Sequence, residues 1–540
     1  MKKLIFLFLL FSIQFYLFSQ NPRTILPVSS PVYQMIDNIY YESGFAQPET
    51  ARPWSYSELS STLDRIDFFS LSKAGKEAYG YIQGIVNWDE PLVADGNFSF
   101  DSGINLTPEG FYHFEIEDSL EEPPEAYDWN HGYEERKSFL TIPLEFWYGN
   151  SLYMISQIEV KEEYRTVTSP STPDVAGNYF NVLFDDPNPR LDLYFPFRAV
   201  LSLGGDWWDI YFGRDDLSWG NGVSGNLMLS DYSDFYDFLE LKTRSKIFTF
   251  TSIYSVMDKY LPNEDRFDGE TTPYSAFMSH RLEARFLDGK IQAAVNESVT
   301  FSNYLPEIIR DLNYLMIFHN WTIPERTNSL MSFELSINPW KYMNIYGQLA
   351  MDEFATKYET DRDGGGGPPI WGYLAGIKGA YPVDSGYLSF VGEWAQTSPW
   401  LYNRRTDPYF YNTRRYWSLV TDTFEYVTKP LGYEYGSDSI VYYFRAKYSM
   451  PGLFSAGMDL TRLLKGETDI GNEWDPQIED VTPTGTPEKK WILHLFGEYM
   501  PFSFLSVGAD FYWSDSENAD HIIGAVQKNI ELAGFISLNL

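Results

Sequence analysis

Arg214, Asp215 and Asp216 stand side by side in a stretch that also carries Trp219 and four glycines, "FGRDDLSWGNGVSGNLMLSDYSDF", residues 212–235. Three chemistries could use such a set: a glycine-rich cradle for phosphate, two carboxylates for acid–base work, or a tight structural corner. No helical pattern follows the glycines, which removes the dinucleotide cradle, because that site needs a helix N-terminus behind the loop. Asp215 and Asp216 are sequence neighbours, and in a strand adjacent side chains point to opposite faces, so the two cannot flank one scissile bond. An architectural corner remains, with Gly213, Gly220 and Gly222 as its structural glycines and Arg214, Asp215 and Trp219 placed to touch a ligand.

A second constellation lies at residues 396–417, "QTSPWLYNRRTDPYFYNTRRYW". Arg404, Arg405, Arg414 and Arg415 alternate there with Trp400, Tyr402, Tyr409, Phe410, Tyr411, Tyr416 and Trp417. Aromatic faces stack on sugar rings, and guanidinium forks hold carboxylate or phosphate groups. The competing reading is an interfacial girdle whose basic residues touch lipid headgroups or acidic loops. The six histidines, at 113, 131, 280, 319, 494 and 521, lack metal-ligand spacing. Ser279 and His280 are neighbours and cannot alone supply the geometry of an acyl-transfer site. The glycines at 364–367 precede Pro368-Pro369 and not a Lys-Ser helix start, and Asp361 and Asp363 lack the spacing and final Glu of a calcium loop. The sequence therefore predicts no catalytic residue, no metal and no cofactor.

What must position these residues follows from composition. Residues 1–20 read as a secretory signal, with Lys2 and Lys3 before an apolar stretch from Leu4 to Phe18. Cysteine is absent from all 540 residues, so disulfides, thiolate zinc sites and cysteine nucleophiles are excluded. The formal charge is −35, or −37 once Lys2 and Lys3 leave with the signal, and such a chain repels nucleic acid. High charge can accompany disorder, but 18% aromatic residues argue for an ordered structure. No long apolar run follows residue 20, so any membrane crossing falls to strands. An acidic, aromatic-rich, cysteine-free exported chain fits an outer-membrane β-barrel.

Periodicity divides the chain into a signal peptide (1–20), an N-terminal helical unit (21–96) and an outer-membrane barrel (97–540). Helices are expected over 29–44, with Ser30 as N-cap, Pro31 at the first position and Gly44 as stop, and over 52–66, with a Ser55/Glu58 capping box. A third is expected from about Ser72 to Val86. From Asn97 the period becomes two. Gly149-Asn150 and Pro339-Trp340 are expected as two-residue turns. Around the second, Phe333, Leu335 and Ile337 share one face, and Ser332, Glu334, Ser336 and Asn338 share the other. The final residues, "IELAGFISLNL", alternate to the end of the chain. Roughly 16 to 20 such segments predict a mainly β, transmembrane antiparallel barrel. The polar stretches 119–137, 358–369 and 463–489 become its surface loops.

Several segments carry a family resemblance. "GRDDLSWGNGVSGNLMLSD" resembles the signature of the Wzi-type capsule assembly proteins, with its Gly-Arg, Trp-Gly-x-Gly and Leu-x-Leu-Ser elements. "LPVSSPVYQMIDNIYYESGF…RPWSYSEL", "NIYGQLAMDEF" (344–354) and "KPLGYEYGSDSIVYYFRAKY" (429–448) are similar to further elements of that family, in order. The sequence departs from it at Trp219, a single aromatic where relatives often have two, and at Asn221, where Pro is common. The resemblance implies an outer-membrane barrel of about eighteen strands, helices at its periplasmic mouth, and lectin-like, non-catalytic retention of capsular or exopolysaccharide. Its expected partners are surface polysaccharide, outer-membrane lipids and the barrel assembly machinery, without nucleic acid. Arg214, Asp215, Trp219, Trp400, Tyr402, Arg404, Arg405, Arg414 and Arg415 are the expected polysaccharide contacts. A diffusion porin or a surface adhesin is the alternative, and a barrel-embedded lipid hydrolase a more distant one.

Overall fold

Alternation gives each strand one apolar and one polar face, and the strands bury the polar face by closing on themselves. The computed structural model describes residues 21–540 apart from 87–90, 121–128, 133, 163–177, 181–182, 186–187, 193–197, 234, 258–273, 304–326, 354–369, 404–410, 419–423, 473–474 and 476–480. The expected signal (1–20), the glycine run 364–367 with Asp361 and Asp363, and Arg404 and Arg405 lie outside the described residues. Eighteen antiparallel strands form one closed barrel. β1 runs in three pieces, Phe98–Ser102, Asn105–Leu106 and Glu109–Asp118. Next come β2 (Leu140–Tyr148), β3 (Leu152–Glu162), β4 (Arg198–Gly204), β5 (Trp208–Asp215) and β6 (Tyr236–Arg244). β7 (Phe248–Met257), β8 (Tyr274–Phe286), β9 (Ile291–Asn303), β10 (Thr327–Trp340), β11 (Met343–Glu353) and β12 (Ile370–Val383) continue the wall. The rest are β13 (Gly386–Thr397), β14 (Ser439–Met450), β15 (Phe454–Lys465), β16 (Glu488–Phe502), β17 (Leu505–Glu517) and β18 (Val526–Asn539). Closure is made by β18 on β1, with Leu532 opposite Tyr112 and Gly534 opposite Gly110.

The two faces differ as the alternation requires. In β10 and β11, Phe333, Leu335 and Ile345 are exposed outward, whereas Ser332, Glu334, Ser336, Asn344 and Gln348 are buried inside. In β18, Leu532 and Ile536 face out while Asn529 and Glu531 face in. The outward face is thus an apolar belt suited to lipid. Tyr148, Trp207, Trp340, Tyr381, Tyr499 and Phe502, all beside short turns, are exposed and form an aromatic girdle. Short turns mark the periplasmic end and long loops the outer end.

Two turns differ from expectation. Tyr148 pairs with Leu152, so Gly149–Ser151 is a three-residue turn with Gly149 at φ +53°. Trp340 pairs with Met343, which moves the second turn to Lys341 and Tyr342, the latter at φ +70°. A register shift between Ile337 and Trp340 accommodates Pro339 inside the strand, where its missing N–H is tolerated.

Three helices precede the barrel among the described residues: α1 (Val32–Ser43), α2 (Tyr56–Leu63) and α3 (Lys73–Val86). α1 starts one residue later than expected. Pro31 holds the cap position, and the Ser30 hydroxyl accepts the Val32 N–H at 3.3 Å. Gly44 stops the helix at φ +82°. The α2 capping box closes both ways: the Ser55 N–H donates to Glu58 Oε2 at 2.7 Å and the Glu58 N–H to Ser55 Oγ at 3.3 Å. The helices pack beneath the barrel, with Ile36, Ile39, Leu59 and Ala78 in one apolar cluster with Ala380 and Tyr387 of the wall.

Ion pairs lock this unit to the lumen. Lys242 of β6 lies 3.3 Å from Glu49, 3.1 Å from Glu58 and 3.6 Å from Glu240. Arg281 of β8 donates to Glu334 at 2.6 Å and Glu283 at 3.1 Å, and also reaches the Thr50 hydroxyl. A buried cation among carboxylates from both wall and helical unit is costly to break, because each lost partner leaves an uncompensated charge.

Candidate functional site

The loop after β5, residues 216–235, turns into the barrel rather than out to solvent. Ser218 and Trp219 form a two-residue ladder with Arg52 and Ala51, so the loop descending from the outer end meets the N-terminal unit rising from the other. The Gly220 N–H donates to the Thr50 carbonyl at 3.0 Å. Trp219, Leu227, Met228 and Leu229 are fully buried, together with Trp400, Leu401, Tyr402, Tyr411 and Tyr433.

Glycine makes this path possible. Gly220 sits at φ +131°, and a Cβ there would fall 2.2 Å from Asn226 Oδ1. Gly222 has no left-handed φ, but its Cβ would fall 1.9 Å from the Gly225 carbonyl. The spacing Gly220-x-Gly222-x-x-Gly225 does match the dinucleotide fingerprint, yet the helix that fingerprint needs is missing. Its N–H groups still hold a carboxyl group, one from the chain itself: Val223 and Ser224 each donate at 2.7 Å to the two oxygens of Glu393.

Side chains from the other singled-out segments converge on the same loop. From "NIYGQLAMDEF", Gln348 Oε1 accepts the Leu227 N–H at 2.9 Å and its Nε2 donates to Asn226 Oδ1 at 2.6 Å. Asp352 accepts the Tyr402 N–H at 2.7 Å. The Tyr402 hydroxyl donates to the Leu227 carbonyl at 2.7 Å and the Tyr411 hydroxyl to the Met228 carbonyl at 2.9 Å. From "KPLGYEYGSD", the Leu431 carbonyl accepts the Ser230 N–H at 2.8 Å. Asp438 accepts the Thr484 N–H at 3.1 Å and the Thr468 N–H at 3.2 Å. Burial raises the pKa of Asp438 against these bonds. Burial also raises Glu434 to about 7, with Asp231, Glu135 and Glu393 adding repulsion.

These contacts separate the expected site residues. Asp215 is buried and accepts twice from Arg198 Nε, at 3.0 Å each, while Arg198 Nη2 reaches the Ile25 carbonyl at 3.2 Å. Arg214 faces the other way, paired with Asp237 at 2.7 and 2.8 Å and lying 3.8 Å from the Phe235 ring centre, with its side chain 31% exposed. Trp219, Trp400 and Tyr402 have no open face, since they form the packed interior of the lumen. Arg414 and Arg415 lie on a strand, Asn412–Ser418, that pairs with Phe424–Pro430 beyond the barrel wall strands. Ser279 Oγ contacts the Glu297 carbonyl at 3.1 Å and Ser298 Oγ at 2.5 Å. Among the described residues no three His, Cys, Asp or Glu side chains could hold a metal ion. Sequence reasoning missed Glu393 and Gln348 as partners of the glycine loop and Arg198 as the partner of Asp215. Only Gln348 fell in a quoted segment, because long-range pairing leaves no local spacing signal.

No family model matches this chain, and no curated protein does. Among solved structures, one aligns over 95% of this chain and 99% of its own length, at 11% identity and a TM-score of 0.60. It is Wzi, described as an outer-membrane protein involved in group 1 capsule assembly in Escherichia coli and as a carbohydrate-binding β-barrel. The chain has the Wzi barrel fold. OccD1 (OprD) and Pseudomonas aeruginosa OccK9 (OpdG) align at TM-scores of 0.38 and 0.40, with 10% and 12% identity. They cover 84% and 82% of this chain and 100% and 99% of their own lengths. A closed eighteen-stranded barrel with the Wzi fold and an outward apolar belt is a bacterial outer-membrane protein.

Proposed function

We propose that this barrel binds and retains capsular or exopolysaccharide at the cell surface, without catalysis. The observation that carries the reading is the filled lumen: the helical unit enters from the short-turn end, the 216–235 loop enters from the other, and the two join through Ala51–Arg52 and Ser218–Trp219. A barrel sealed this way suits a surface anchor better than a diffusion pore. The Wzi fold supports the choice of glycan as the retained molecule. Retention would rest on charge-assisted contacts to uronate or phosphate groups from Arg214, at the outer end of β5, and from the arginines at 404, 405, 414 and 415. Lipid would be met by the apolar belt, and folding into the membrane would use the barrel assembly machinery.

The test is a strain lacking this protein. Loss of surface polysaccharide, together with negligible single-channel conductance of the purified protein, is the expected result. Unchanged surface glycan with a steady open-channel current would leave a porin.

A further inference from the structure

A cavity of about 220 Å³ lies inside the lumen, between α1, the glycine loop and the wall strands β12 to β14. Asp37, Tyr41, Gln47 and Arg52 line it from the helical unit, facing Gly220 to Asn226 of the loop. Three of these residues are buried, with the Asp37 side chain 12% exposed, and each presents a polar atom with no hydrogen-bond partner: Asp37 Oδ1, Tyr41 Oη and Gln47 Oε1. Asp37 uses only its other oxygen, accepting from Gln47 Nε2 at 2.9 Å and facing Arg52 at 3.7 Å. Buried polar groups are ordinarily satisfied, so three such atoms around one cavity point to a ligand that supplies hydroxyls.

Charge narrows the class. Two cations of the barrel wall are taken, Arg445 by Asp459 at 2.6 Å and Lys378 by the Asn221 carbonyl at 2.5 Å, while Arg52 of the helical unit faces Asp37 at 3.7 Å and keeps a buried Nε without a partner. A carboxylate or phosphate would bring a second negative charge beside Asp37, whose own charge Arg52 already offsets, whereas a neutral hydroxyl can accept from Arg52 Nε. A neutral polyol would meet two acceptors and one amphoteric hydroxyl. A second cavity of about 380 Å³ shares Val223, Gly225 and Asp231 with the first and reaches Glu134, Glu135 and Glu434 on the loop side.

We propose that the chamber between α1 and the glycine loop binds one neutral sugar unit, held by Asp37, Tyr41 and Gln47. The same chemistry could come from a free monosaccharide or from the end of a glycan chain. The site does not depend on the surface-retention reading, which uses the outer arginines.

The test uses full-length protein in detergent, with D-glucose, D-glucuronate and maltohexaose as probes in saturation-transfer NMR and equilibrium dialysis. D-Glucose, maltohexaose or both should bind saturably, with D-glucuronate at least tenfold weaker. Binding of maltohexaose would assign the chain end, and binding of D-glucose alone would assign the free unit. Tyr41→Phe removes a hydroxyl that has no protein partner, so the barrel should fold as before while affinity falls about tenfold. Gln47→Leu is the second variant, with the gel shift of unboiled protein as the check on folding. Failure of both neutral probes to bind saturably, or unchanged binding in folded Tyr41→Phe, would overturn the proposal. Surface glycan on cells carrying Tyr41→Phe should stay at the wild-type level, which separates this site from retention.

Discussion

At the scale of single residues, the glycine loop is decided by space more than by charge. Gly220 and Gly222 look alike in sequence, yet only Gly220 needs a left-handed φ, and Gly222 is required because the Gly225 carbonyl fills the place of its Cβ. Gly220→Val and Gly222→Val should therefore both impair assembly, read as loss of the fast-migrating unboiled form. Gly84→Ala in α3, where a Cβ would meet nothing within 4 Å, should keep that form and stabilise the helix by about 0.5–1 kcal/mol. Normal assembly of both valine variants would mean that the loop can leave the lumen without cost. The sequence showed that Asp215 and Asp216 diverge, and the structure gives the consequence: Asp215 ties β5 to β4 and the N-terminal segment through Arg198. It could not show that Trp219 and Trp400 are interior. A tryptophan flanked by glycine or proline reads equally as a sugar platform or as core, and only the fold of the loop separates the two.

At the scale of elements, the helices and strands were legible because each is written locally, by capping residues, helical spacing or alternation. α2 carries its capping box at Ser55 and Glu58, and β10 carries its two faces from Phe333 to Asn338. The seam between helical unit and wall was not legible, since it joins residues far apart in the chain: Glu49 and Glu58 meet Lys242, and Thr50 meets Arg281. That seam titrates. Burial pushes the Glu49 carboxyl up from 4.5 to about 7, and the charges of Glu58 and Glu283 add to it while Lys242 opposes. For Glu58 burial is outweighed by Lys242 and Arg244, which bring it down to about 2. A raised folded pKa gives stability that is complete below the unfolded value of 4.5 and is lost as pH rises through about 7. Glu58 acts in the opposite sense, losing its contribution only as pH falls through about 2. Hydrogen exchange of α1 and α2 amides should therefore speed up relative to the barrel between pH 5 and 7.5, once corrected for intrinsic rates. Glu49→Gln should flatten that dependence, and an unaltered pH profile in this variant would count against a protonated Glu49.

At the scale of the whole molecule, strong negative charge and a cluster of arginines must be reconciled. A net charge of −35 would repel an acidic glycan if it were spread evenly over the outer end. The lumen absorbs part of it, because Glu240, Glu283, Glu334, Glu393 and Glu531 are buried inside the wall rather than displayed to solvent. Screening at physiological ionic strength confines what remains to about 8 Å, so a local basic, aromatic segment can still attract a polyanion. Retention through Arg404, Arg405, Arg414 and Arg415 should then show two separable parts. Charge-assisted pairs weaken as salt rises, while aromatic stacking on sugar rings persists. Changing the four arginines together to Gln should release acidic polysaccharide from cells at unchanged barrel abundance, and the polysaccharide still bound should lose its sensitivity to salt. Wild-type cells washed in rising NaCl supply the comparison, with released uronic acid as the readout. Release that stays equally salt-dependent in the quadruple variant would place the ionic contacts elsewhere, with partly exposed Arg214 as the next residue to replace.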